Sequence, residues 1–90
     1  MTFDFTKGYL KRLQRLPKHV QKRSLKALEL LERDPRYPSL HFKEVSSSAG
    51  AWSMRASQDY RMVGYRVENH VTWFWIGSHN DYDQLLSRLS

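Results

Sequence analysis

Cysteine is absent from this ninety-residue chain, and with it any disulfide, thiolate zinc site or cysteine nucleophile. Long apolar runs are absent too. None approaches the ~18 residues of a membrane helix, and the opening Met-Thr-Phe-Asp-Phe-Thr lacks the apolar centre of a secretory signal. A cytoplasmic protein is expected. No internal repeat or long linker is present, so residues 1–90 read as a single domain with one small core. Acidic residues are the scarce charge, nine against fifteen Lys and Arg, for a net +6. A domain this basic suits a polyanionic partner.

What is present is unevenly placed. Lys7, Lys11, Arg12, Arg15, Lys18, Lys22, Arg23 and Lys26 follow one another with no acidic residue between them. Such a run is usually a solvated face, but its single sign makes a nucleic-acid surface an equal alternative. Apolar residues are 40% of the chain and aromatics 13%, enough for a folded core.

Phe3 and Phe5 alternate with polar neighbours, as in a short strand. Thr6 suits the cap of a helix from Lys7 to Leu16, and Pro17 the first turn of a second helix reaching about Arg33. In the second helix Val20, Ser24, Ala27, Leu28 and Leu31 define one inward stripe, so the two helices are expected to form a hairpin. Two prolines, Pro35 and Pro38, then break the helix. Leu40 and Phe42 alternate with His41 and Lys43 as a strand, and Glu44 to Gly50 reads as a loop. Trp52, Met54 and Ala56 mark a half-buried strand. Tyr60 to Val67 and Val71 to Gly77 flank a short turn and make a hairpin. A short last helix follows, with Asp81 and Asp83 near its start. The fold class is α+β: an N-terminal strand and a helical hairpin packed on one face of a mostly antiparallel twisted sheet, with a short C-terminal helix.

Several polar groups lie on strands or strand ends. They are His41 and Lys43, Arg55, Arg61, and His79 with Tyr82 after the last strand. If the strands are neighbours, these groups converge. Clustered cations repel unless an anion lies between them, and guanidinium pairs with phosphate oxygens in a two-pronged geometry. With an imidazole and a phenol beside them, such a clamp suits RNA cleavage by the neighbouring 2′-hydroxyl, which needs a base, an acid and cations for the phosphorane. The structural alternatives are a hydrogen-bonded His79, a core Tyr82, and an Arg61 paired with Glu44, Asp59 or Glu68. Trp52, Trp73 and Trp75 read mainly as core. The histidines lack metal-ligand spacing, so neither a metal nor another cofactor is expected.

Leu-Pro-x-x-Val-Gln-Lys-Arg at 16–23, Leu-His-Phe-Lys-Glu-Val at 40–45, Gly50 to Arg61, and Trp-Ile-Gly-Ser-His-Asn-Asp-Tyr at 75–82 resemble the RelE/ParE toxin superfamily in order and spacing. The resemblance runs from Phe3 to Leu86. It implies a toxin of a type II toxin–antitoxin pair, partnered by a cognate antitoxin and by no membrane. RelE-like members cleave mRNA in the ribosomal A site without a metal. Carried over, Arg61 becomes a transition-state phosphate ligand, Arg55 the arginine of the preceding strand, and His79 an acid or base. Tyr82 becomes an aromatic that positions the base, and Lys43 a basic residue of the second strand. The sequence departs from the family where Ser53 and Met54 replace lysines and where no glutamate precedes Leu40. The base is therefore left open between His41 and His79. The eight basic residues from Lys7 to Lys26 become a surface for ribosomal RNA. A second expectation is a ParE-like poison of DNA gyrase with no nuclease chemistry, and a third is a plain RNA-binding module.

Overall fold

The computed structural model describes residues 1–89. Strand β1 (Thr2–Phe5) leads into α1 (Lys7–Gln14) and α2 (Lys18–Arg33). A 3₁₀ turn at Pro38–Leu40 precedes β2 (Lys43–Ser46), β3 (Ala51–Ser57), β4 (Tyr60–Val67) and β5 (His70–Ser78), and α3 (His79–Leu89) closes the chain. The five strands form one sheet in the order β1-β5-β4-β3-β2. All pairings are antiparallel except β1 with β5.

Local chemistry sets most element ends. The Thr6 hydroxyl accepts from the Tyr9 N–H at 3.1 Å and caps α1. Helix α1 stops at Gln14, two residues short of the expected end. Arg15 and Leu16 turn back onto Arg12 and Leu13, and Pro17 stands as the cap before α2 and not inside its first turn. In α2 the buried residues are Val20, Ser24, Ala27, Leu28 and Leu31, the stripe expected from spacing. Ser24 is tolerated there because its hydroxyl donates to the Gln21 carbonyl at 2.7 Å.

The segment after the prolines departs from expectation. Leu40 ends the 3₁₀ turn and His41 is left-handed at φ 49°, so His41 is not on a strand. Proline at 38 favours the tight turn, and Leu40 is buried at its end. Lys43 is on a strand as expected, but Glu44 to Ser46, expected as the start of a loop, continue it as β2, with Lys43 opposite Ser53 and Ser46 opposite Ala51. The serine-rich stretch is therefore only the turn of a hairpin. Pairing with β3 overrides its weak strand propensity.

Two cores sit on the two faces of the sheet. Helices α1 and α2 lie over one, where Tyr9, Leu28, Leu31, Met54, Met62, Trp73 and Ile76 pack together. Helix α3 crosses to the other, where Ala51, Val63, Trp75 and Tyr82 meet, flanked by Leu85 and Leu86. Helices on one face only would have left Val63 and Trp75 in water. The continuous apolar run of β5 thus reflects cover on both sides. Its register shifts between Val63 and Gly64, which pair with Trp75 and Trp73. A Cβ on Gly64 would come within 2.6 Å of Val71 and 3.0 Å of the Trp73 ring, so this crossing needs glycine.

His70 ties the parallel edge strand down. Its two ring nitrogens lie 2.6 Å from the Thr2 hydroxyl and 3.0 Å from the Asp4 carboxylate. Tyr9 is almost fully buried, and burial pushes its phenol pKa up to about 12, with the Ser24 hydroxyl offsetting part of the rise.

Candidate active site at the end of strands β3 and β4

The β3–β4 register places Arg55 directly opposite Arg61. Cross-strand partners share a face, so both side chains leave the strands on the side of the sheet that α3 covers, and Arg55 also reaches the edge of β3. Among the described residues Arg61 forms no ion pair with a carboxylate. One of its terminal nitrogens donates instead to the carbonyls of Ser57, Gln58 and Tyr60 at 3.0–3.1 Å, wrapping the turn between the strands. This replaces the expected structural alternative, an ion pair with Glu44, Asp59 or Glu68. Burial first, then the like charge of Arg55, lowers the Arg61 pKa, while Tyr82, Asp59 and Asp83 act the other way. Arginine stays charged under such a shift, so the pair presents two cations at the sheet's end. The Arg55 Nε is buried and has no hydrogen-bond partner.

His79 is the first residue of α3. Its backbone N–H donates to the Asp59 carbonyl at 2.9 Å, anchoring the helix start to the same β3–β4 turn. Ser78 caps the helix through the Asp81 N–H at 3.2 Å. The imidazole is exposed, its Nδ1 3.7 Å from the Asp83 carboxylate one helical turn on. Its ring centre lies 5.8 Å from that of Tyr82. Tyr82 is buried against Trp75, and its hydroxyl donates to Ser53 on β3 at 2.8 Å. Arg55, Arg61, His79 and Tyr82 therefore gather around one strand end. Lys43 faces the same side through its pairing with Ser53, two residues along β3 from Arg55.

His41 is exposed in the 3₁₀ exit, and among the described residues no ion pair holds its side chain. The fold does not bring it into the gathering. Of the eight cations from Lys7 to Lys26, seven are exposed. Arg12 is half-buried, its Nε donating to the Ile76 carbonyl at 2.7 Å and its guanidinium 4.7 Å above the Trp75 ring. A Cβ on Gly77 would come within 2.9 Å of that guanidinium, so the glycine makes room for it. Arg23 stands apart from the other exposed cations. With His19 it lines a cleft against Ser57, Gln58, Asp59 and Tyr60, at the turn Arg61 wraps.

His19 escaped the sequence reading, since it joins the site through contacts remote in sequence. Asp59 was expected only as an ion partner of Arg61 and instead holds the head of α3 through its carbonyl. Asp83 was expected only as a helix-start carboxylate, although its i, i+4 spacing from His79 was visible once the helix is taken to begin at 79. Among the described residues no three His, Asp or Glu side chains cluster in a way that could hold a metal ion, and no helix is long and apolar enough to cross a membrane.

Comparison with known proteins followed the same lines. The family model of the ParE-like toxin domain matches residues 18–84. No curated protein sequence matches. Among solved structures, the RelB–RelE antitoxin–toxin complex of Methanococcus jannaschii aligns with a TM-score of 0.71 at 16% identity, over 91% of this chain and 96% of that one. The archaeal RelE–RelB complex of Pyrococcus horikoshii OT3 aligns at 0.68 and 20% identity, over 86% and 92%. The isolated RelE toxin of E. coli aligns at 0.64 and 20% identity, over 99% and 98%. Fold, element order and the extent of the family match agree: the chain belongs to the ParE-like toxin domains of the RelE/ParE superfamily.

Proposed function

We propose that this toxin is a metal-independent endoribonuclease that cleaves mRNA on the ribosome, held in check by a cognate antitoxin in the cytoplasm. The observation that carries the reading is the apposition of Arg55 and Arg61 beside His79 and Tyr82. Two cations without a carboxylate partner suit a phosphodiester, whose non-bridging oxygens gain negative charge in the phosphorane. The 2′-hydroxyl attacks the adjacent phosphorus, the bond to the 5′-oxygen breaks, and a 2′,3′-cyclic phosphate remains. One proton leaves the 2′-oxygen and one reaches the 5′-oxygen. His79, exposed and anchored at the head of α3, is the group suited to one of these transfers, and Asp83 pairs with the ring when it carries the proton. Tyr82 fixes the distance between α3 and β3, and Lys43 adds positive charge along the incoming strand.

The antitoxin assignment is supported by two of the similar structures, which are RelE toxins bound to RelB. A net +6 suits an acidic antitoxin segment. A second reading has its own support. The matching family model is ParE-like, and Arg61 spends one nitrogen on the β3–β4 turn, as a structural residue would. In that reading the toxin poisons DNA gyrase by binding.

One experiment separates the two. The purified chain is added to ribosomes translating a defined mRNA, and the RNA ends are mapped. In parallel it is added to gyrase with supercoiled DNA. Cyclic-phosphate ends on mRNA with no trapped DNA cleavage support the nuclease. Trapped gyrase–DNA complexes with intact mRNA support the poison.

A further inference from the structure

Strand β2 covers only part of β3. Their pairing ends at Lys43 and Ser53, so the edge of β3 from Arg55 to Ser57 has no strand beside it. Helix α2 and the 3₁₀ turn close over that free edge and leave an open groove of about 400 Å³. Its charged lining is Arg23, Lys26 and Arg55, and no acidic residue contributes to it. The remainder is of two kinds: Ser39, Ser57 and Gln58 supply hydroxyl and amide groups, and Ala27, Leu30, Leu40 and Ala56 supply an apolar floor.

The Nε of Arg55 is buried and unpartnered in this region. A buried donor on a charged group is costly to leave unsatisfied, so Arg55 is a cation that the described residues do not fully satisfy. Lys26 has only a marginal contact, 3.9 Å from Glu29 with both side chains mostly exposed. That pair constrains Lys26 little.

We propose that this groove is a nucleotide subsite for the RNA strand. A phosphate one step along from the scissile one lies among Arg23, Lys26 and Arg55, with its unstacked base on the Ala27–Leu30–Leu40 floor. Arg55 links the two places. It faces Arg61 across the strands and lines the groove at the free edge, so successive phosphates are held on either side of it. The mixed lining favours a single strand, because a duplex keeps its bases stacked and cannot offer one to an apolar floor. The subsite deepens the nuclease reading and rests on it. Of the basic run, Arg23 and Lys26 then serve the substrate strand and the remaining exposed cations serve other RNA.

The test uses the full chain and a fluorescent hexaribonucleotide made uncleavable by 2′-O-methylation, read by anisotropy across a salt series. Arg23→Gln with Lys26→Gln keeps two exposed helical positions occupied by a good helix former, so folding is undisturbed. The expected result is an affinity lower by about tenfold or more, and a log K against log salt slope shallower by about 0.7, the value for one lost single-strand phosphate contact. Arg33→Gln with Arg88→Gln removes the same charge elsewhere and should change neither. Equal losses in both double variants would mean that net charge alone drives binding, which overturns the subsite. So would loss of binding to a hairpin duplex with the single strand unaffected, or loss of binding to a poly-glutamate peptide alone, which would give the groove to an acidic protein. Cleavage on ribosomes is scored separately. Wild-type chain that binds the hexamer through the groove but cuts no mRNA sinks the nuclease and leaves the groove intact.

Discussion

Arg55 and Arg61 face each other across β3 and β4, and among the described residues neither forms a salt bridge. Like charges directly opposite in a sheet are destabilising, a cost that Asp59 and Asp83 offset and that a bound anion would relieve further. Arg55→Gln should therefore raise the unfolding free energy of the free protein by about 0.2–1 kcal/mol while lowering cleavage. Urea denaturation beside a single-turnover assay checks both. A variant that loses stability and keeps its rate would show that Arg55 is structural.

On the nuclease reading Arg61 has a structural and a catalytic task, which a pair of variants can divide. Arg61→Ala removes three hydrogen bonds from a partly exposed turn and should cost about 1 kcal/mol. It should also slow cleavage by about 10²–10³, the loss typical of a transition-state donor. Arg61→Lys keeps the charge without the fork and should recover only part of the rate. Circular dichroism and melting curves distinguish a folded, inactive protein from an unfolded one.

His79 lies on the surface at the head of α3, so its removal should spare the fold. His79→Ala is expected to slow single-turnover mRNA cleavage by about 10²–10⁴ with ribosome cosedimentation nearly unchanged. His79→Gln should not rescue the rate, because an amide cannot exchange the proton. Wild-type cleavage by both would remove His79 from the chemistry.

The Tyr82 hydroxyl and the Ser53 hydroxyl, 2.8 Å apart and buried, tie α3 to β3. Tyr82→Phe leaves the Ser53 hydroxyl without this partner and should cost about 1 kcal/mol or more. Adding Ser53→Ala should recover part of that, since both polar groups are then gone. A double-mutant cycle in urea measures the coupling, and additive losses would show that the bond contributes nothing.

Tyr9 supplies a pH dependence of defined sign. Its pKa rises from 10.0 in the ordinary phenol to about 12 in the fold. The folded form thus holds the proton more tightly, and the stabilisation is complete below the unfolded value and lost as pH climbs through the folded one. The rise corresponds to about 3 kcal/mol, given up between about pH 10 and pH 12. Tyr9→Phe should be less sensitive than wild type over that alkaline window. Parallel alkaline stability curves for the two proteins would show that Tyr9 does not titrate as its burial requires.

Much of this molecule was determined by sequence alone, and the reason is local. The α2 stripe of Val20, Ser24, Ala27, Leu28 and Leu31 follows from a period of 3.6, and the β3 alternation of Trp52, Met54 and Ala56 from a period of two. A short turn after Val67 made β4 and β5 a hairpin, and Thr6 set the start of α1. Arg55, Arg61, His79 and Tyr82 stood out as polar groups at strand ends for the same reason. Other features needed the folded chain. Beyond Lys43 nothing announces that β2 runs on to Ser46, because that part of the strand exists through its pairing with β3. His41 left the strand for a left-handed turn because burial of Leu40 sets the path of the segment. Helix α3 chose the second face because Val63 and Trp75 there required cover. Arg23 and His19 met the β3–β4 turn only when α2 was laid across the sheet. Periodicity reports which side of an element is apolar. Which elements meet depends on how all the apolar sides are covered at once, and that is decided only when the whole chain packs.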